Sequence, residues 1–209
     1  MTAVPRGVAP AWLDVSRETL ARMDAFLALV EKWQPTINLV AKASLPVAWE
    51  RHVLDSAQLF EFCPVAARHW VDLGSGGGFP GIIIALLAAE TRPELQVTLV
   101  ESDKRKATFL MQAARQLDLR LNLVKDRAET LSPVFADVMS ARALAPLVDI
   151  CRLAAHHLAP GGIGIFPKGA QAASEVAVAR ALWQFDATLL PSHTDPAGRI
   201  VIMKNLHHA

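Results

Sequence analysis

The stretch VDLGSGGGFPG, Val71–Gly81, carries five glycines among the eight residues from Gly74 to Gly81, directly after an apolar start. The apolar run ends at Leu73. Pro80 suits the first turn of a helix, because its φ is already helical and its missing N–H needs no partner there. The stretch therefore predicts a strand, a turn of bare backbone and a helix. In an open α/β sheet such a turn lies where ligands bind, although the glycines alone also fit a tight turn without a ligand.

Beyond residue 68, short apolar runs alternate with helical runs. The predicted strands are His69–Leu73, Gln96–Glu101, Leu121–Lys125, Ala136–Ser140, Gly164–Pro167, Ala187–Leu190 and Arg199–Lys204. The predicted helices are Gly81–Ala89, Lys104–Leu117, Pro146–Leu158 and Gln171–Trp183. This alternation is typical of a Rossmann-like α/β fold with a mostly parallel, doubly wound sheet. Only a loop separates the last two strands, so at least one of them should run antiparallel.

Residues 1–68 are predicted to form a helical N-terminal cap on a core of residues 69–209. Ser16 can cap a first helix, whose apolar residues recur at spacings of three and four. A second short helix is expected near Val47–Phe60. Residues 1–15 contain two prolines and a glycine and are interpreted as a loose arm.

The composition limits the classes of function. The 209-residue chain is 52% hydrophobic and carries 21 basic and 20 acidic residues, so it is predicted to be globular, and any RNA contact must depend on a local basic patch. Cys63 and Cys151 lie in apolar contexts and are interpreted as reduced thiols, which fits the cytoplasm. We see no membrane span, no signal peptide and no metal-binding cluster in the sequence.

An acidic residue at the second strand end identifies the class of ligand. The run VTLVES ends at Glu101, twenty residues beyond Gly81, where a carboxylate can accept hydrogen bonds from both hydroxyls of a ribose. Glycines let the backbone approach such a ligand at Gly74, Gly76 and Gly78. After the third strand, Ala128 and Glu129 are within reach of an adenine edge. Together these features favour an adenosine-type ligand.

Two adenosyl cofactors compete for this turn. A G-x-G-x-x-G pattern begins at Gly76, which keeps a nicotinamide-dependent oxidoreductase as an alternative, but it starts two residues late relative to the strand end. The earlier phase, Asp72-x-Gly74-x-Gly76-x-Gly78, fits S-adenosylmethionine better. The chain contains no tyrosine and therefore no Ser-Tyr-Lys set for hydride transfer. Methyl transfer is favoured, and a noncatalytic RNA-binding assembly protein with a vestigial cofactor fold is the other alternative.

The residues at the end of the fourth strand limit which kind of methyl acceptor the site can serve. The stretch VMSARALAPL has no Asn/Asp-Pro-Pro-aromatic motif for amino-group methylation, and Cys151 lies on the next helix, away from a nucleophile position. An acceptor that is already nucleophilic remains, such as guanine N7, which has no proton to remove. Arg142 could hydrogen-bond a guanine edge or the cofactor carboxylate.

Six stretches, in order along nearly the whole chain, resemble the RsmG (GidB) family of bacterial small-subunit rRNA methyltransferases. They are EKWQPTINLV from Glu31, RHVLDS from Arg51, VDLGSGGGFPGIIIA from Val71, VESDKRKATFL from Val100, SARALAPL from Ser140 and FPKG from Phe166. The resemblance implies methyl transfer from S-adenosylmethionine to N7 of one guanine in the 530 loop of 16S rRNA, with the 30S subunit or its precursor as partner.

The residue patterns and the resemblance together give the candidate residues. The cofactor-binding set is Gly74, Ser75, Gly76, Gly78, Phe79, Glu101, Ala128, Glu129 and Arg142. The RNA-binding set is Arg51, His52, Asp55, Ser56, Lys104, Arg105, Lys106 and Lys168. Arg142 and Lys168 are the candidate catalytic residues. On physical grounds Arg51 and Asp55, four apart on one helix, also fit a surface ion pair. One departure from the family pattern is Gly77, which is expected to make the loop more mobile.

Overall fold

A computed structural model describes residues 4–209, and in that range the chain forms a mixed seven-stranded sheet. The strands are β1 (His69–Leu73), β2 (Gln96–Val100), β3 (Asn122–Val124), β4 (Ala136–Ala141), β5 (Leu158–Lys168), β6 (Trp183–Pro191) and β7 (Arg199–His208). Their order across the sheet is β3-β2-β1-β4-β5-β7-β6. The first five strands are parallel, while β7 is antiparallel to both β5 and β6. The predicted α/β fold with an antiparallel C-terminal strand is confirmed.

Helices cover both faces of the sheet. They are α1 (Arg17–Trp33), α2 (Asp55–Ala57), α3 (Gly81–Thr91), α4 (Lys104–Gln116), α5 (Leu147–His157) and α6 (Ala172–Ala179). One apolar core joins α1, α3 and α4 to the sheet, and a second core joins α5 and α6 to the other face. The amino-acid pattern explains this placement, since GIIIALLA at the start of α3 is apolar on all sides and is wholly buried.

The N-terminal segment packs onto the same core as α3 and α4. Ser16 caps α1 by accepting a hydrogen bond from Thr19 N, as predicted. The segment from Trp49 to Phe62 is helical throughout, with a turn of π-helix before α2 and a turn of 3₁₀-helix after it. The division of the chain at residue 68 stays a prediction, because one continuous apolar core crosses it.

Two local predictions were wrong. Residues 4–15 of the arm are docked: the Trp12 ring stacks on His193 at 4.7 Å between centroids, and Arg6 forms ion pairs with Asp24 and Glu31. Residues 1–3 of the arm lie outside the described part of the chain. The helix expected to reach Trp183 ends at Ala179, because Trp183 starts β6 and pairs with β7 along a long hairpin.

In residues 4–209, none of the helices combines the length and apolar character that crossing a bilayer requires. That same range brings together no group of three or more His, Cys, Asp and Glu side chains suited to a metal ion. Cys63 and Cys151 are both free thiols.

Candidate active site

A cavity of about 1230 Å³ opens at the carboxyl edge of the sheet, beside the ends of β1, β4 and β5. Strand order reverses between β1 and β4, and this is where α/β sheets bind ligands. Five parts of the chain form most of the wall, and Lys106 of α4 and Glu175 of α6 complete it. The five parts are residues 74–77 and 79 of the glycine turn, residues 142–146 after β4, residues 167–169 at the end of β5, cap residues between 39 and 58, and the β6–β7 loop 192–200. The cap and the core therefore both contribute to the cavity.

The glycine turn needs glycine for its backbone path and for close packing. Gly76 has a φ of +54°, and a Cβ there would meet no other atom nearer than 3.7 Å, so the turn presents bare backbone at this point. At Gly81, by contrast, a Cβ would lie 2.2 Å from Leu99 Cδ2. Gly77 also packs closely, because a Cβ there would lie 2.7 Å from the Leu39 carbonyl oxygen of the cap. The glycine at 77 thus has a packing role, where the sequence predicted mobility.

Asp72 anchors the turn from below. Its carboxylate is fully buried and accepts hydrogen bonds from Gly81 N at 3.1 Å and from Ser140 Oγ at 2.8 Å. Trp70 Nε1 donates to the same Ser140 hydroxyl oxygen at 2.9 Å. Burial raises the pKa of Asp72 to about 6, and the hydrogen bonds that it accepts oppose that rise. The network links the ends of β1 and β4 to the start of α3.

Glu101 is buried directly behind the turn and is not itself part of the cavity wall. One of its oxygens accepts from Gly76 N at 2.7 Å and the other from Asp103 N at 2.7 Å. Each carboxylate oxygen has a second lone pair, so the group can still accept hydroxyl hydrogen bonds from a ribose. Ser75 ties the turn to β2 through a hydrogen bond from its N to Val100 O at 3.0 Å.

Arg142 is the most densely contacted cation in the cavity wall. Its Nη1 donates to His52 Nδ1 at 2.8 Å and to the Arg51 carbonyl oxygen at 3.3 Å. Its guanidinium carbon lies 5.3 Å from the centre of the Phe79 ring, within cation–π range. Asp55 Oδ2 lies 3.9 Å from Nη1. Burial lowers the pKa of Arg142, while Asp55 and Asp72 counteract that effect.

His52 is buried and engaged at both ring nitrogens. Nε2 lies 2.7 Å from Ser44 Oγ, and the ring stacks on Phe79 with centroids 5.2 Å apart. Desolvation, helped by the positive charges of Arg142 and Arg51, lowers its pKa to about 3. His52 is therefore a neutral imidazole over the physiological range.

Asp55 connects the cap to the β6–β7 loop. Its Oδ1 accepts from Gln58 Nε2 at 2.8 Å and from Thr194 Oγ1 at 2.9 Å. The ion pair expected between Arg51 and Asp55 is replaced by the one with Arg142, which follows from the burial of Asp55 on the cavity side of the helix. Burial raises the pKa of Asp55, against the opposing effects of Arg142 and the two hydrogen bonds.

Lys168, at the end of β5, lines the cavity and is held in place. Its Nζ donates to Glu175 Oε2 at 2.8 Å and to the Ala145 carbonyl oxygen at 3.2 Å. The same Glu175 oxygen accepts from Leu147 N at 2.9 Å, so one carboxylate fixes both Lys168 and the start of α5.

The structure does not bring every candidate to the cavity. Ser56 is fully buried and donates to the His52 carbonyl oxygen at 2.6 Å, so its hydroxyl serves the helix. Ala128 is buried and its carbonyl oxygen accepts from His157 Nε2 at 2.7 Å, while Glu129 is exposed outside the cavity wall. Both therefore stay predictions for the adenine side.

The basic run at the start of α4 divides in the same way. Lys106 lines the cavity, whereas Lys104 and Arg105 are exposed outside its wall. Asp103 accepts from the backbone N–H groups of Arg105 and Lys106, and this N-cap offsets the cost of three cations at a helix start. Arg51 presents its exposed side chain at the cavity rim.

Sequence reasoning missed several residues of the wall. Gln58 and Thr194 contact Asp55, Ser44 contacts His52, and Arg199 lines the cavity. Only Gln58 had a local signal, as a polar residue three positions after Asp55 and directly before the apolar pair Leu59 and Phe60.

The residues present fit S-adenosylmethionine. Gly76 offers the close backbone approach, and Glu101 offers acceptors for the ribose hydroxyls. Arg142 is a positive group suited to the carboxylate of the methionine part.

Comparison with known proteins agrees with this fit. The family model described as rRNA small subunit methyltransferase G (GidB) matches residues 19–199. A protein of that name from Cereibacter sphaeroides is 52% identical, with 95% of this chain and 96% of that protein covered. One from Rhodospirillum centenum is 48% identical, with 94% and 88% covered.

Solved structures support the fold. A SAM-dependent methyltransferase from Aquifex aeolicus aligns with a TM-score of 0.61 at 11% identity, covering 85% of this chain and 97% of that one. The Thermus thermophilus 16S rRNA N2 G1207 methyltransferase aligns with a TM-score of 0.54 at 14% identity, covering 74% and 39%. With a family model over most of its length and relatives near half identity, the chain belongs to the rRNA small subunit methyltransferase G (GidB) family and is an S-adenosylmethionine-dependent rRNA methyltransferase.

Proposed function

We propose that this protein methylates N7 of a guanine in the 530 loop of 16S rRNA, by direct in-line displacement without a general base. The observation that carries the proposal is the state of His52, the imidazole of the cavity wall. Both of its nitrogens are occupied and its pKa is about 3, so it is poorly suited to remove a proton. Guanine N7 has a lone pair and no proton, so it is an acceptor that this site can serve.

S-adenosylmethionine, when bound, supplies an electrophilic methyl group. Guanine N7 forms the new bond to the methyl carbon as the sulfur–carbon bond breaks, and sulfur keeps the electron pair as a neutral thioether. The positive charge moves from sulfur to the guanine ring. The protein's contribution is to hold both reactants in line, which can supply much of the rate enhancement of a displacement.

Arg142 and Lys168 are the residues that we assign to this positioning. Arg142 is held against Phe79 at the glycine turn, where it can bind the cofactor carboxylate. Lys168 is held by Glu175 on the other side of the β4 end, where it can bind a phosphate or the target base. Family membership favours methyl transfer over a nicotinamide-dependent oxidoreductase for this site.

The RNA partner is proposed to be the 30S subunit or its precursor in the cytoplasm. The net charge of +1 gives little general affinity for bare RNA, so recognition has to use local cations. Arg51 and Lys106 lie at the cavity, and Lys104 and Arg105 extend the basic surface outward along α4. Methylation at limiting 30S concentration should therefore fall as salt concentration rises.

The test is transfer of tritiated methyl groups to 30S subunits from a strain without the endogenous enzyme, with naked 16S rRNA alongside. Label found as 7-methylguanine in the 530 loop supports the proposal. Label at another atom or another loop contradicts it. Label on neither RNA, together with RNA binding, would favour the noncatalytic assembly protein.

Variants test the two assigned residues. Arg142→Ala and Lys168→Ala should each lower kcat/KM at least tenfold with little loss of folded protein, because each removes a charge-assisted contact to a ligand. Arg152→Ala is the matched control, since this arginine is exposed on α5 outside the cavity wall. Full activity in either test variant would remove that residue from the mechanism.

A further inference from the structure

We propose that His52 is a positioning residue for methyl transfer: its Nδ1 lone pair orients the Arg142 guanidinium, and Ser44 accepts the Nε2–H hydrogen bond of the same tautomer. The inference rests on the role given to Arg142 in the proposed function. In this proposal the cap takes part in cofactor binding through Arg142, without contacting the cofactor itself.

The hydrogen-bond roles of this cluster are decided by chemistry. A guanidinium can only donate, so His52 Nδ1, 2.8 Å from Arg142 Nη1, must carry a lone pair. The neutral ring then has its proton on Nε2, which donates to Ser44 Oγ at 2.7 Å. The Ser44 hydroxyl in turn donates to the Ala41 carbonyl oxygen at 2.6 Å. If Ser44 donated to Nε2 instead, the ring proton would lie on Nδ1 and would face the Arg142 donor.

Asp55 is a competing partner for the Arg142 guanidinium. Its carboxylate lies 3.9 Å from Arg142 Nη1, too far for a hydrogen bond but close enough to compete for the guanidinium. The contact with His52 keeps Nη1 away from a tight pair with Asp55. The guanidinium then stays over Phe79 with other N–H groups available to a ligand. Loss of the Nδ1 acceptor should let Arg142 turn to Asp55 and bind the cofactor less well.

Two substitutions at His52 separate this role from packing. His52→Phe keeps an aromatic ring against Phe79 and removes the acceptor. His52→Asn removes the ring and places a carbonyl oxygen close to the position of Nδ1. If Nδ1 orients Arg142, the Phe variant should bind S-adenosylhomocysteine about tenfold more weakly and the Asn variant at most about threefold more weakly. The opposite order, or equal losses, would overturn the proposal in favour of a packing role.

A double-mutant cycle asks whether His52 acts through Arg142. In the Arg142→Ala background, His52→Phe should change the affinity for S-adenosylhomocysteine less than twofold, because the group that it orients is gone. A further tenfold loss in that background would mean that His52 acts on the ligand in another way. Thermal unfolding of each variant checks that the compared proteins are folded.

The wild-type protein provides a readout that does not depend on any variant folding. Imidazole ¹⁵N chemical shifts should show an unprotonated Nδ1 and a protonated Nε2 on His52 from pH 6 to 8. A protonated Nδ1 in the wild-type protein would overturn the proposal. These measurements use no RNA, so a failure to find N7 methylation would leave them unaffected, and their failure would leave the guanine assignment unaffected.

Discussion

Lowering the pH from 7 to 5 should destabilise the folded protein through His52 alone by about 2 kcal/mol. In the unfolded chain this histidine has an ordinary pKa of 6.5, whereas in the folded protein it falls to about 3. At pH 5 His52 is therefore protonated in the unfolded state and unprotonated in the folded state. The free energy involved is about 1.36 kcal/mol for each of the roughly 1.5 pH units below the unfolded value. Stability is unaffected above pH 7 and is lost as the pH falls below 6.5.

This magnitude is robust because pH 5 lies well above the folded pKa. Desolvation is the largest cause of the low pKa of His52, and the positive charges of Arg142 and Arg51 lower it further. Protonation of Nδ1 would also break its hydrogen bond with Arg142. Asp72 has the opposite dependence, because its pKa is raised to about 6 and its burial is less costly when it is protonated. The comparison must therefore be made between proteins that share Asp72.

Urea unfolding at pH 7 and at pH 5 of the wild-type protein and the His52→Asn variant makes that comparison. The variant has no titrating group at this position and keeps every other charge. The free energy of unfolding should fall by about 2 kcal/mol more for the wild-type protein than for the variant between pH 7 and pH 5. Equal losses in the two proteins would show that His52 is protonated in the folded state, and the description of this cluster as neutral would be wrong.

Two further substitutions test the packing of the site. Gly81→Ala should lower the free energy of unfolding by about 1–3 kcal/mol, because the new methyl group would lie 2.2 Å from Leu99 Cδ2. The control is Gly169→Ala, whose methyl group would meet no atom within 4 Å. In thermal unfolding the control should stay within about 0.5 kcal/mol of the wild-type protein. Gln58→Ala should cost about 1–3 kcal/mol in urea unfolding, because it removes the hydrogen bonds by which the buried Gln58 amide joins Asp55 to Ser192 and His193. Wild-type stability in either test variant would contradict the corresponding contact.

Much of the fold was predictable because its signals are local. The alternation of strands and helices after residue 68 follows from runs of apolar residues, and the strand His69–Leu73 was predicted with its observed bounds. The errors arose where distant contacts decide. Trp183 joins a hairpin whose partner strand lies near the C-terminus, and Trp12 is held by a ring that comes from the β6–β7 loop. Neither contact leaves a pattern in the neighbouring sequence.

In the candidate site, too, features set by local sequence were predictable and features set by distant contacts were not. The glycine turn and Glu101 were predictable, since both lie at strand ends and the sheet places strand ends together. The surroundings of Arg142 were not, because its contacts come from residues far away in the chain. The fourth strand end pointed to Arg142 and the resemblance to a family supplied His52, but their hydrogen bond and its direction required the structure.

The contacts of Arg142 also link the cap to the proposed cofactor site. Of the four groups next to the guanidinium, the Arg51 carbonyl, His52 and Asp55 come from the cap, and only Phe79 comes from the glycine turn. The exposed side chain of Arg51 faces the rim where RNA is proposed to bind, while its carbonyl oxygen holds the cation that is proposed to bind the cofactor. Arg51 thus connects the proposed RNA-binding rim to the proposed cofactor site. A displacement of the cap by RNA would change the position of Arg142 directly, with no need for movement in the sheet.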